Sequence, residues 1–203
     1  MYPAIHVDDG IIKGKDLEKI ENILKKLKKK FEMVVYAKKV LEKFNITDCK
    51  AMKPPLVPEG KTNGENQENE HIEFSYREAI GSLLYLLCQT RPDLGFTVNY
   101  ESCFTENPKK KDYKNVERTL RYLQGSKNYA LFYKKKESEE DDSIHLKVYC
   151  DADYAQNLRD RKSTSAYIVL YNGAPISWCS KKQSVTATSS TEAEYISAAQ
   201  STK

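Results

Sequence analysis

The chain has 203 residues, is 39% hydrophobic and 31% charged, and carries a formal net charge of +4. That balance fits one or two domains around a thin core. No apolar run reaches bilayer length and no signal peptide opens at Met1, so a membrane-spanning or membrane-bound protein is excluded at this level.

Residues 4–14, Ala-Ile-His-Val-Asp-Asp-Gly-Ile-Ile-Lys-Gly, read as a short hairpin with Asp8 and Asp9 at its tip. Acids at such a tip are ordinary turn residues; adjacent aspartates also hold Mg²⁺ against triphosphate oxygens. Leu17, Ile20, Leu24, Leu27 and Phe31 recur at three and four and predict a helix over 16–31. A further helix is expected over 36–44, joined to the first through Val34-Val35. Residues 50–73 are rich in Pro, Gly, Asn and Glu and read as a disordered linker.

Ser75 and Glu78 have the spacing of a capping box and open an apolar helix that Pro92 stops or restarts. A second helix is expected from Asp93 to Phe104. A third is expected from Lys110 to Gln124, with Tyr113, Val116, Leu120 and Leu123 on one stripe and Gly125 as its cap. Ala130 to Tyr133 reads as a short strand, and 137–143 as an acidic linker.

The last sixty residues carry most of the chemistry. Ile144, Leu146, Val148 and Cys150 alternate with polar residues, which predicts a half-buried strand ending on Asp151 and Asp153, two acids on one face. A polar loop over 157–164 leads to a second strand over 166–171. Asn172-Gly173 is a hairpin turn, and a third strand runs over 175–179. Ser189 and Glu192 then fit a capping box at the start of a helix. Carboxylates converging from a strand and a helix can bind Mg²⁺, and two such ions about 3.5–4 Å apart form a phosphodiester-cleaving site. The plain alternative is a capping glutamate and two strand-end acids.

Five cysteines, Cys49, Cys88, Cys103, Cys150 and Cys179, form no C-x-x-C pair, and with three histidines they offer no zinc pattern. Reduced thiols in an intracellular protein, cytoplasmic or nuclear, are expected. Lysines cluster at 25–26, 28–30, 109–111, 134–136 and 181–182. Such runs are solvated faces, or they neutralise phosphates in salt-dependent binding.

Four C-terminal stretches are Cys150-Asp151-Ala152-Asp153-Tyr154-Ala155, Asp160-Arg161-Lys162-Ser163-Thr164-Ser165-Ala166-Tyr167, Pro175-Ile176-Ser177-Trp178-Cys179-Ser180-Lys181-Lys182-Gln183 and Ser189-Ser190-Thr191-Glu192-Ala193-Glu194-Tyr195. In order and interval they resemble the ribonuclease H domain of copia-type (Ty1/copia) retrotransposon Pol polyproteins. Tyr76 to Leu86, Thr90-Arg91-Pro92-Asp93 and Leu120 to Ser126 resemble the segment that tethers polymerase to ribonuclease H in that family. Val7-Asp8-Asp9 and the helix after it resemble the box of the reverse transcriptase palm, with His6 where many members have Tyr.

The resemblance implies an α+β chain in five parts. These are a reverse transcriptase palm/thumb remnant (1–49), a linker (50–73), a helical tether (74–136), an acidic linker (137–143) and the N-terminal part of a ribonuclease H-like domain (144–203), its three antiparallel strands followed by a helix. It implies that Asp151 and Glu192 are catalytic Mg²⁺ ligands, with Mn²⁺ as a substitute, Asp153 as a further ligand, and Glu194 about 200° away around the helix. It makes Asp8 and Asp9 the matching pair for nucleotidyl transfer, and an RNA/DNA hybrid or other nucleic acid the partner. Oligomeric state is left open. The family's ribonuclease H site uses four carboxylates, of which the chain, ending at Lys203, is expected to hold at most half. A β-hairpin that the family places after the post-palm helix is replaced by Val34-Val35. The expectation is a catalytically incomplete Pol fragment. The alternatives are a non-catalytic nucleic-acid-binding or interaction module kept by the host, or a pseudogene product without function.

Overall fold

The structure, a computed structural model, describes residues 2–6, 9–13, 18, 22, 25, 36–53, 55, 74–131, 133, 145–157 and 160–202. At the N-terminus, β1 (Tyr2–His6) and β2 (Asp9–Lys13) pair antiparallel from Tyr2 opposite Lys13 to His6 opposite Asp9, so the expected hairpin is present. Asp8, Val34-Val35, most of the linker 50–73 and the acidic linker 137–143 lie outside the described residues. So does most of the 16–31 helix, although Glu18, Asn22 and Lys25 within it are helical.

The helical unit comprises α1 (Tyr36–Lys43), α2 (Tyr76–Gln89), a single 3-10 turn (Pro92–Leu94), α3 (Gly95–Ser102) and α4 (Lys110–Gly125). Its core is one cluster, in which Val40, Leu41, Leu83, Leu94, Val98, Val116, Leu120 and Leu123 are fully or almost fully buried. These residues recur at three and four in the sequence, so each helix turns one stripe inward. Phe74, Tyr76 and Tyr113 close one end with edge-on and tilted ring contacts 5.2–5.5 Å between centroids.

Three local expectations are corrected. Ser75 occupies the N-cap of α2, but its side chain makes no capping hydrogen bond; Glu78 pairs instead with Lys43 at 2.7 Å, tying α2 to α1. Gly125 is not a left-handed cap but the last residue of α4, and Ser126 follows as the cap residue. A Cβ at Gly125 would stand 2.8 Å from the Cβ of Ala51, so close approach, not backbone conformation, is what glycine provides there. The third is Ala130–Tyr133: its described residues, Ala130, Leu131 and Tyr133, are not strand, and Tyr133 instead donates from its hydroxyl to the Pro175 carbonyl at 2.8 Å.

The C-terminal unit is an antiparallel sheet in the order β3 (Leu146–Asp153), β4 (Thr164–Tyr171), β5 (Ala174–Lys182), followed by α5 (Ser190–Ser201). Asn172 and Gly173 both have positive φ, 48° and 81°, the conformation that a two-residue hairpin of matching twist demands. β4 and β5 each extend further than their apolar runs suggest, because Thr164 pairs with Lys182 beyond them. α5 packs across β3 and β4. Ser197 Oγ reaches the carbonyl oxygens of Asp151 and Ala166 at 2.7 and 3.2 Å, and Ala193 is fully buried.

The alternating face of β3 does not become core. Leu146 and Val148 are 56% and 44% exposed, and Cys150 is also exposed. The packing contacts of α5 fall at the Asp151–Ser165 end of the sheet, so among the described residues this apolar row stays largely uncovered.

Candidate functional site

The register of the sheet decides where the acids stand. Asp151 pairs with Ala166, which pairs with Ser180; Tyr149 pairs with Ile168, which pairs with Trp178. Side chains alternate along a strand, so these six residues share one face, with Asp153 two positions on. That face is turned to the helical unit. Trp178 donates its indole N–H to the Leu87 carbonyl at 2.8 Å, and the Ser180 Cβ lies 3.5 Å from where a Cβ on Gly95 would be. Between sheet and helices lies a cleft of about 340 Å³, lined by Asp151, Tyr149 and Trp178 on one side and by Pro92, Asp93 and Phe96 on the other.

α5, which carries Glu192, packs on the opposite face. The side-chain amide of Gln183 donates both to Ser165 Oγ, at 2.8 Å, and to the Ala193 carbonyl of α5, at 2.9 Å. Ser165 neighbours Ala166 and so points the other way. Asp151 and Asp153 are thus brought into each other's field on one face, while the helix bearing Glu192 docks on the other.

The electrostatics follow from these positions. Burial, and then the charge of Asp151, raise the Asp153 carboxyl above its ordinary range. Glu192 is exposed and lowered, because its carboxylate accepts from the Thr188 hydroxyl and backbone N–H, both at 2.6 Å. Its own backbone N–H donates to Ser189 Oγ at 3.1 Å, so the expected cap is made. The reciprocal half of the box is shifted by one residue, to Thr188. Glu194 is exposed on α5. Asp9 ends its hairpin strand opposite His6.

Mg²⁺ takes six oxygen ligands in near-octahedral geometry and relies on ionised carboxylates for its charge. The described residues do not fit that requirement. No group of three or more His, Cys, Asp or Glu among them is placed to hold a metal ion. Burial and the neighbouring Asp151 raise the Asp153 carboxyl, and Glu192 is already engaged by Thr188.

Sequence reasoning left two polar clusters without a role. Arg91, only 2% exposed, forks onto both oxygens of Asp93, at 2.8 and 2.6 Å, and also donates to the Ser126 carbonyl and hydroxyl. Tyr122 donates its hydroxyl to Asp93 at 2.9 Å. Glu101, 1% exposed, lies among Tyr76 and Asn115. The first was visible as an acid and a base flanking a proline. The second had no local signal, since Glu101 is one acid in a short helix.

No family model matches the chain, and no solved structure matches it. It is 33% identical over 98% of its length to the retrovirus-related Pol polyprotein from transposon TNT 1-94 of Nicotiana tabacum. It is 34% identical over 98% of its length to the retrovirus-related Pol polyprotein from transposon RE1 of Arabidopsis thaliana. The chain spans 17% and 15% of the length of these two relatives. A 128-residue match at 38% identity, covering 63% of this chain, takes in 87% of the secreted RxLR effector protein 161 of Plasmopara viticola.

Proposed function

The chain belongs to the retrovirus-related Pol polyproteins of copia-type transposons, and from that membership we propose that it is a catalytically incomplete piece of such a protein. In this reading the parent carries out RNA-directed DNA synthesis and hydrolyses the RNA strand of RNA/DNA hybrids. Residues 1–49 then descend from the polymerase palm and thumb, 74–136 from the tether and 144–203 from the start of ribonuclease H. Asp151 and Glu192, with Asp153 beside the first, are the remnant of the Mg²⁺-binding set; Asp8 and Asp9 are the remnant of the polymerase pair.

The observation that carries the incompleteness is the placement of the carboxylates. A two-ion site needs several ionised acids converging on one point. Here Asp151 faces the helical cleft, α5 with Glu192 docks on the opposite face, and the Glu192 carboxylate is engaged by Thr188.

The test is cleavage of an end-labelled RNA/DNA hybrid by the purified chain in Mg²⁺ and in Mn²⁺, beside Asp151→Asn and Glu192→Gln. The expected outcome is no cutting above that of the two variants. Cutting that both substitutions abolish overturns the proposal.

A second reading is favoured by one observation. A protein named as a secreted effector consists almost wholly of the matching segment, so such a segment also occurs apart from a full-length Pol protein. In that case the chain is a non-catalytic module that grips nucleic acid through shape and backbone charge. Hybrid binding that weakens steeply with salt and is unchanged in Asp151→Asn would support it.

A further inference from the structure

We propose that Glu101 is a resident proton-binding site, which in its neutral form joins α2, α3 and α4 and on ionising loosens them. The Tyr76 hydroxyl lies 2.8 Å from the Glu101 backbone carbonyl and 2.9 Å from Glu101 Oε2. A phenol has one proton and can serve only one of these oxygens. With an ionised carboxylate, one of the two close approaches is an oxygen facing an oxygen with no hydrogen between them.

A protonated Glu101 resolves both. Its Oε2–H donates to the Tyr76 oxygen, and Tyr76 then donates to the Glu101 carbonyl, which also accepts from the Phe104 N–H at 3.1 Å. Glu101 Oε1 remains free to accept from Asn115 Nδ2 at 2.9 Å. Every polar atom of the cluster is then satisfied, as a site with Tyr76 3%, Glu101 1% and Asp112 1% exposed requires.

The surroundings favour the neutral acid. From α2 the site is faced by Tyr76, whose phenol burial raises above its ordinary value. Cys103 follows α3 directly. From α4 it is faced by Asn115, by Asp112, whose carboxylate accepts from the Lys109 N–H at 2.7 Å, and by Lys111. Burial is the largest effect on Glu101 and raises it. The Tyr76 and Asn115 hydrogen bonds and the Lys111 charge oppose that, Asp112 reinforces it, and the carboxyl is left at about 7.

The sign follows from linkage. A carboxyl whose folded value lies above its unfolded value binds the proton more tightly when folded. Its neutral form is fully compatible with the fold below about 4.5, and stability falls as pH rises toward 7, levelling off above it.

The test uses the full chain with ¹³C-labelled glutamate carboxyls, titrated by NMR, and urea unfolding of the wild type and Glu101→Gln at pH 5.5 and 8.5. Glutamine keeps the shape, donates to the Tyr76 oxygen as the acid would, and cannot ionise. One carboxyl resonance should titrate near 7, the wild-type urea midpoint should fall between the two pH values, and that fall should shrink in the variant. Comparison with the variant removes the contribution of every other titrating group. A Glu101 midpoint near 4.5, or an equal fall in both proteins, overturns the proposal. If Glu101→Gln does not fold, the wild-type titration alone decides.

Discussion

Arg91 keeps its charge almost out of water, and only a fixed set of acceptors makes that tolerable. Burial would lower its guanidinium and raise Asp93, but the fork between them outweighs both: Arg91 is raised and Asp93, which also accepts from Tyr122, is held below its ordinary range. Removing the acid leaves a buried cation with the Ser126 oxygens and the rings of Tyr122 and Tyr129, but without its counter-charge. Asp93→Ala should therefore lower unfolding stability by about 2–4 kcal/mol, toward the lower end of the range for a broken buried pair because Asp93 itself is 31% exposed. Urea unfolding measures it, and a loss below about 1 kcal/mol would mean that the pair is no more than a surface bridge. The same pair sets an acid limit. Because the folded value of Asp93 lies below its unfolded one, its contribution is complete above about 3.8 and is lost as pH falls through the folded value. Asp93→Ala should flatten that acid limb.

At the scale of elements, periodicity carried most of what could be read. The stripes of α2 and α4 followed from apolar spacing, because each buries a face against another element; the strands followed from alternation and the Asn172-Gly173 turn from its dipeptide, although the apolar row of β3 stays largely uncovered. Two kinds of feature did not follow. One is polar packing. Gln183, Ser163 and Ser165 are buried between sheet and α5, yet singly they look like loop residues, since only the tertiary arrangement turns a glutamine into a bridge between strand and helix. The other is close approach of backbones. Residues 51–53 and 55 lie along α4, where the Met52 N–H meets the Arg121 carbonyl at 3.4 Å and Thr119 Oγ1 meets the Pro55 carbonyl at 3.5 Å. Their composition alone spoke for a linker.

Two glycines separate these effects by sign. Gly81 is exposed inside α2, with nothing within 4 Å of an added Cβ, so Gly81→Ala should stabilise by about 0.5–1 kcal/mol through helix propensity. Gly125 ends α4, where an added Cβ meets the Ala51 Cβ at 2.8 Å. Alanine there must displace the stretch that carries Ala51 and should destabilise by about 1–3 kcal/mol. Thermal unfolding of the two variants checks this, and a stabilising Gly125→Ala would show that the stretch docks more loosely than its hydrogen bonds imply.

Across the whole molecule, the two units meet through small contacts. Among the described residues they include the Trp178 indole on the Leu87 carbonyl, Ser180 against Gly95, and the Tyr133 hydroxyl on the Pro175 carbonyl. The sheet itself is less well served. β3 pairs only with β4 among the described residues, and its apolar row continues onto β4 through Tyr171, 43% exposed opposite Leu146. An open strand edge beside an uncovered apolar face is a template for pairing with another chain. The chain should therefore self-associate as its concentration rises, with the C-terminal sheet as the contact. Val148→Lys tests this in a way that a general loss of folding cannot imitate. Val148 is 44% exposed, so the lysine head can reach water, and its charge then stands in the middle of the open row. The variant should keep the wild-type circular dichroism while light scattering and sedimentation report a lower associated fraction at equal concentration. Glu194→Gln makes the matching charge change of one unit at an exposed site on α5, away from that row, and should leave association unchanged. Equal suppression by both would assign the effect to net charge; suppression by Val148→Lys alone would assign it to the open face of β3.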